Sequence, residues 1–145
     1  MKRRGLQLSR RHRATLFAVS AVLLITGALW ARLHQLDENA PASEGLRRVN
    51  RWLMEMHGLT AVGFVLLLGT LLPGHVRRAW RARKNRGNGA FFLTAVASLT
   101  ISGYALYYLG DENWRRAASW FHLWLGVAAP LLLFWHIRSG RQITR

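Results

Sequence analysis

Four apolar runs of about 20 residues recur along the chain, at roughly 14–33, 52–72, 90–109 and 117–137, with short polar segments between them. As a helix, each run would be about 30 Å long, the thickness of the hydrocarbon core of a bilayer. The pattern predicts an all-α membrane protein, a four-transmembrane-helix bundle forming one domain over residues 1–145. The first run follows a basic segment and so resembles a secretion signal. It is longer than a usual signal core, however, and Ala28-Leu29-Trp30-Ala31 is a poor small-x-small cleavage site. Ser9-Arg10-Arg11 hints at a twin-arginine signal, but Arg13 stands where an apolar residue is wanted. Retention as a true span keeps the helix count even.

Charge then orients the bundle. The 145 residues carry 21 Lys and Arg against 6 Asp and Glu, a net charge of +15. On a soluble surface that excess would suggest nucleic acid, but here it is confined to one side. The N-terminal segment holds Lys2, Arg3, Arg4, Arg10, Arg11 and Arg13, the 76–89 segment holds Arg77, Arg78, Arg81, Arg83, Lys84 and Arg86, and the tail holds Arg138, Arg141 and Arg145. None of these segments contains an acid. Asp37, Glu38, Glu44, Glu55, Asp111 and Glu112 all lie at the other side, where basic residues balance them. The positive-inside rule therefore places both termini in the cytoplasm, with 34–51 and 110–116 facing the periplasm of a bacterial inner membrane. The 34–51 segment, with Pro41 and Ser43, reads as a loop with a short surface turn, and Arg81 to Gly89 reads as a turn-rich basic connector lying against anionic lipid. No nucleic-acid role is expected. Tryptophans at 30, 52, 80, 114, 120 and 135, with Tyr107 and Tyr108, fall near span ends as an ordinary aromatic belt.

Histidines supply the candidate chemistry. The second span runs from Arg51 through His57 to His75-Val76-Arg77, and the fourth from Arg116 through His122 to His136-Ile137-Arg138. His57 and His75 are 18 residues apart, close to five turns, and His122 and His136 are 14 apart, just under four, so each pair shares a helix face. Both spans run outside to inside, which sets His57 level with His122 and His75 level with His136. The unequal spacing leaves an axial mismatch of roughly 6 Å, for tilt or kinks at Pro73 and Pro130 to absorb. Each proline has a glycine four residues earlier, Gly69 and Gly126, easing such a kink. A single histidine at a helix end is usually a neutral interfacial one bonded to a carbonyl or water, whereas four matched by face and depth point to ligands.

Zinc would want three or four ligands, and the chain has no cysteine. That absence excludes thioether-attached haem, cysteine-ligated iron–sulfur clusters and disulfides, and leaves a non-covalent b-type haem between two trans imidazoles. Gly126 and Ala129, four and seven residues after His122, offer clearance for a porphyrin, while Ala61 and Phe64 stand at the same offsets from His57. Arg51, Arg77 and Arg138, with Arg47, Arg48, Arg78, Arg115 and Arg116, are candidates to pair with haem propionates or to anchor the interface. The third span has Thr94, Ser98, Thr100, Ser102, Gly103 and Tyr104 but no histidine, a composition read as close helix packing with room for a cofactor edge. Glu55 is either a proton acceptor beside a quinol or a partner of Arg51 four residues earlier.

The histidine pattern on four spans resembles the bacterial membrane di-haem b-type cytochromes, the cytochrome b561-like group that includes the cytochrome b subunits of hydrogenases and formate dehydrogenases. The resemblance covers nearly the whole chain. It implies two stacked haems, His57 and His122 ligating the outer and His75 and His136 the inner, with His34 an alternative outer ligand. It further implies electron relay between quinone or quinol and a periplasmic partner, a c-type cytochrome or a redox-enzyme subunit. The chain would then be an electron-transfer subunit of an oxidoreductase and not a complete enzyme. The rival readings are a membrane-anchor subunit of a larger complex with one haem or none, and a small transporter, for which no charged residue lies near the midplane.

Overall fold

The computed structural model describes residues 9–39, 43–83 and 85–142. Lys2, Arg3, Arg4, Pro41, Lys84 and Arg145 lie outside them. Among the described residues five α-helices follow in order: α1 (Arg10–Asn39), α2 (Glu44–Leu71), α3 (Arg77–Arg81), α4 (Arg86–Tyr108) and α5 (Glu112–Gln142), with one π-helical turn, Leu72–Val76, joining α2 to α3. Four stretches are long and apolar enough to cross a membrane, Arg10–Leu36, Glu44–Arg81, Arg86–Tyr108 and Glu112–Gly140, which marks a multi-pass membrane protein. Each apolar run of the sequence falls in one of these stretches, the third overrunning by Leu109, which is extended.

The helices extend past the apolar runs, and this corrects two sequence expectations. Residues 34–51 are largely helix, because α1 continues to Asn39 and α2 begins at Glu44. Ser43 caps α2, its hydroxyl accepting from the Leu46 N–H at 3.3 Å, and Glu44 places a negative charge at the positive end of the helix. Likewise α4 begins at Arg86, so Arg86, Gly87, Asn88 and Gly89 are helical and only the start of the basic connector is a turn. Arg83 and Asn85 take the left-handed conformation, each with φ 54°, and reverse the chain there. The Arg86 guanidinium closes the turn: its Nε donates to the Trp80 carbonyl at 2.8 Å and its plane lies 5.2 Å from the Trp80 ring centre. At the other end, Asp111 caps α5 by accepting from the Trp114 N–H at 3.0 Å.

Two antiparallel hairpins form the bundle. α1 packs along α2, α4 packs along α5, and α1 also meets α5. The histidine-bearing helices α2 and α5 are not packed backbone to backbone. All four long helices contribute to one small core, in which buried Leu16, Phe92 and Leu133 are surrounded by Phe64, Leu67, Leu68, Leu71, Val96, Leu132 and Ile137. This core sits at the end of the bundle that holds the start of α1 and the finish of α2. Leu59, Ile101 and Leu131 turn outward, as expected where lipid rather than water surrounds the helices. Replacing Leu133, only 3% exposed, with Ala should destabilise the bundle by about 2–4 kcal/mol. Thermal unfolding in detergent measures this, and a loss well under 1 kcal/mol would mean that the cluster does not hold the helices together.

Candidate functional site

Four imidazoles meet in two pairs across the gap between α2 and α5. The ring centres of His57 and His122 are 6.2 Å apart with their planes at 72°, and those of His75 and His136 are 6.5 Å apart at 84°. All four rings are half-buried. For two imidazoles on opposite sides of one metal ion, about 1.1 Å from ring centre to nitrogen and about 2.0 Å from nitrogen to metal give roughly 6.2 Å between centres. Both separations match that length, and near-perpendicular planes are compatible with ligands on a common axis.

Hydrogen bonds determine which nitrogen of each ring is available. Thr26 on α1 donates its hydroxyl to the Val22 carbonyl at 2.7 Å, and its oxygen lies 3.0 Å from His57 Nδ1. Because the hydroxyl proton is already committed, the oxygen acts toward the ring as an acceptor, and His57 Nδ1–H is the donor. Ser102 on α4 repeats the arrangement: its hydroxyl donates to the Leu99 carbonyl at 3.1 Å and its oxygen lies 2.9 Å from His122 Nδ1. Asn88 places its Oδ1 3.4 Å from His136 Nδ1, and a carbonyl oxygen can only accept. Three rings are thereby held as the Nδ1–H tautomer, leaving Nε2 with a free lone pair, which is how metal-binding histidines are commonly oriented. His136 is additionally clamped by Phe92, stacked at 5.3 Å and 14°.

A glycine follows each of these polar residues, for a steric reason. A Cβ built on Gly27 would sit 3.1 Å from His57 Cε1, and one on Gly103 would sit 3.1 Å from His122 Cε1. Without a side chain, the helix comes close enough for the neighbouring residue to reach the ring. Gly89 lies beside His136 in the same way, its Cβ position 3.7 Å from Cε1. The motif Thr-Gly, Ser-Gly or Asn-Gly thus faces a histidine of the following helix three times. Thr26, Gly27, Asn88 and Gly89 were not singled out in the sequence, and Ser102 and Gly103 were read there as packing residues. The recurrent small-polar-plus-glycine pair was the available signal.

His75 reaches its partner by way of the π turn. Pro73 has no N–H to continue the ladder, the Leu72 N–H bonds the Gly69 carbonyl three residues back, and the Arg77 N–H bonds the Leu72 carbonyl five back. More residues per turn mean less advance along the axis, which takes up part of the excess of 18 residues over 14. Pro130, in contrast, lies inside an unbroken α5. His34 stacks on Trp30 at 4.6 Å and 14°, and the ring that faces His122 is that of His57. Gly126 points its Cβ position at Leu99 of α4, 3.9 Å away, so it serves the α4–α5 contact. Phe64 belongs to the core. Arg77 and Arg138 are exposed near the His75–His136 end, and Arg51, also exposed, lines a surface cleft with Glu44, Arg47 and Arg48. Arg116 is engaged by Glu112 at 2.9 Å, whereas Arg51 and Glu55 are not joined.

The donor set suits a group that needs only two protein ligands per metal. Among the described residues no three His, Asp or Glu side chains converge as a cation site, and each pair presents two imidazoles face to edge. No family model, no curated protein sequence and no solved structure matches the chain.

The glycine contacts lead to a comparison of two substitutions. Gly103→Val should cost about 1–3 kcal/mol by driving the His122 ring from its hydroxyl partner. Gly58→Ala, where a Cβ meets nothing within 4 Å, should be neutral or stabilising by up to about 1 kcal/mol. Thermal melting of both variants in one detergent checks the contrast, and equal effects would show that the close approach is unimportant.

Proposed function

We propose that this chain is a di-haem b-type membrane cytochrome that passes electrons from one side of the membrane to the other. The observation that carries the reading is the matched separation of the two histidine pairs, together with the hydrogen bonds that leave Nε2 free. His57 and His122 hold one iron, and His75 and His136 hold the other. When bound, haem supplies a one-electron ferric–ferrous couple. The chain supplies the rest: Thr26 and Ser102 keep the imidazoles of the first pair in the donor tautomer, Asn88 does so for His136, and Phe92 fixes that ring in place. Two imidazoles holding each iron would leave no position open for oxygen or substrate, which suits relay over catalysis. Along α5 the two sites are about 21 Å apart, one near each membrane face.

The basic segments before α1 and around α3 support an orientation in a bacterial inner membrane with both termini and the His75–His136 pair toward the cytoplasm. Quinone or quinol and a periplasmic c-type cytochrome or redox-enzyme subunit are the partners that such a relay would connect, and the chain itself acts as an electron-transfer subunit. Lipid contacts the outward apolar faces.

The test is the visible spectrum of purified protein before and after dithionite, with a haem-to-protein ratio. Two haems per chain are expected. His122→Ala and His136→Ala should each remove one haem and spare the other, and a variant that loses neither would overturn the ligand assignment. Thr26→Val should weaken haem retention at the His57–His122 site by about tenfold to a hundredfold, as loss of a ligand-orienting hydrogen bond does. Unchanged retention in a wash-out assay would mean that the hydroxyl does not orient the ring.

A further inference from the structure

Two asparagines have buried amide atoms without a hydrogen-bond partner among the described residues: Nδ2 and Oδ1 of Asn50, and Nδ2 of Asn88. Asn50 is 7% exposed, so solvent does not satisfy it. A buried amide left unpaired opposes folding, and an unpaired one usually has a partner elsewhere. The position of Asn50 indicates where that partner lies. It precedes His57 by seven residues, close to two turns, so both side chains leave the same face of α2, about 10 Å apart along the axis.

We infer that Asn50 anchors a carboxyl group on the rim of the haem held by His57 and His122. This rests on the relay reading above. The chemistry is specific because Asn50 offers one donor and one acceptor together. A carboxyl in its acid form satisfies both: Nδ2–H donates to the carboxyl carbonyl, and the acid O–H donates to Oδ1. Burial favours that neutral form. Asn88 differs in a consistent way. Its Oδ1 is already occupied by His136, so only a donor remains, which matches an ionised carboxylate that only accepts. The two ends of the bundle thus present two different amide anchors, one for each protonation state of a carboxyl.

The experiment uses the full chain carrying His136→Ala, which leaves the His57–His122 site, reconstituted with haem or with haem dimethyl ester, whose carboxyls are blocked. With Asn50 present, the ester should bind about tenfold more weakly than the free acid, the worth of one or two hydrogen bonds. In Asn50→Leu the two should bind equally, and the haem-free Asn50→Leu chain should melt above the haem-free parent because the unpaired amide is gone. Asn50→Ala gives the same binding comparison if leucine disturbs folding. Equal binding of acid and ester by the parent, or a preference that survives in both variants, overturns the inference while leaving the relay intact, and points to a bound water as the partner of Asn50. A parent chain that binds neither compound, with the wild-type chain also colourless, overturns the relay and the inference together.

Discussion

The hydrogen bond on Nδ1 of His57, His122 and His136 is the constraint on which the site depends. A histidine on a membrane helix has two ring nitrogens and several rotamers, and nothing in the helix itself selects among them. In this bundle the selection is made by the neighbouring helix of the same hairpin. Thr26 and Ser102 each spend their own proton on a carbonyl one turn back, which leaves the oxygen only the role of acceptor. The glycine beside each lets the backbone approach the ring. Orientation of the imidazole and packing of the hairpin are therefore one interaction, and neither can be altered without the other.

The architecture was largely legible from periodicity, since four apolar runs of bilayer length leave few alternatives to four helices. The levels and faces of His57, His75, His122 and His136 also followed from counting residues, and the structure brings those four rings together in the expected pairs. What counting did not give was the partner of each ring. Thr26 and Asn88 are three-dimensional neighbours of histidines 31 and 48 residues away, and a threonine in an apolar run has no sequence feature that separates it from a packing residue. Helix ends were missed for a related reason: polar residues at an interface extend a helix without any apolar repeat, as at Glu44 and at Arg86. The spacing offers Gly126 as clearance beside a porphyrin, and the structure adds that its Cβ position lies 3.9 Å from Leu99 of α4.

The two halves of the bundle are built differently. The end near His75 and His136 contains the dense aliphatic and aromatic core, with Phe92 shared between that core and the His136 ring. The end near His57 and His122 relies on two hydroxyl bridges, from Thr26 and Ser102, and also holds the buried Asn50. Such a division suits a membrane protein, in which apolar burial contributes less to helix association than it does in water and buried polar groups need named partners.

The widened turn at Leu72–Val76 has an evolutionary consequence. A single-residue deletion before His75 would restore a regular ladder to the helix and remove a local defect, yet it would change the direction in which His75 leaves the axis and its approach to His136. Sequence drift toward a tidier helix is thus opposed by the geometry of the ring it carries, so the irregularity is expected to persist wherever the second pair of imidazoles is kept.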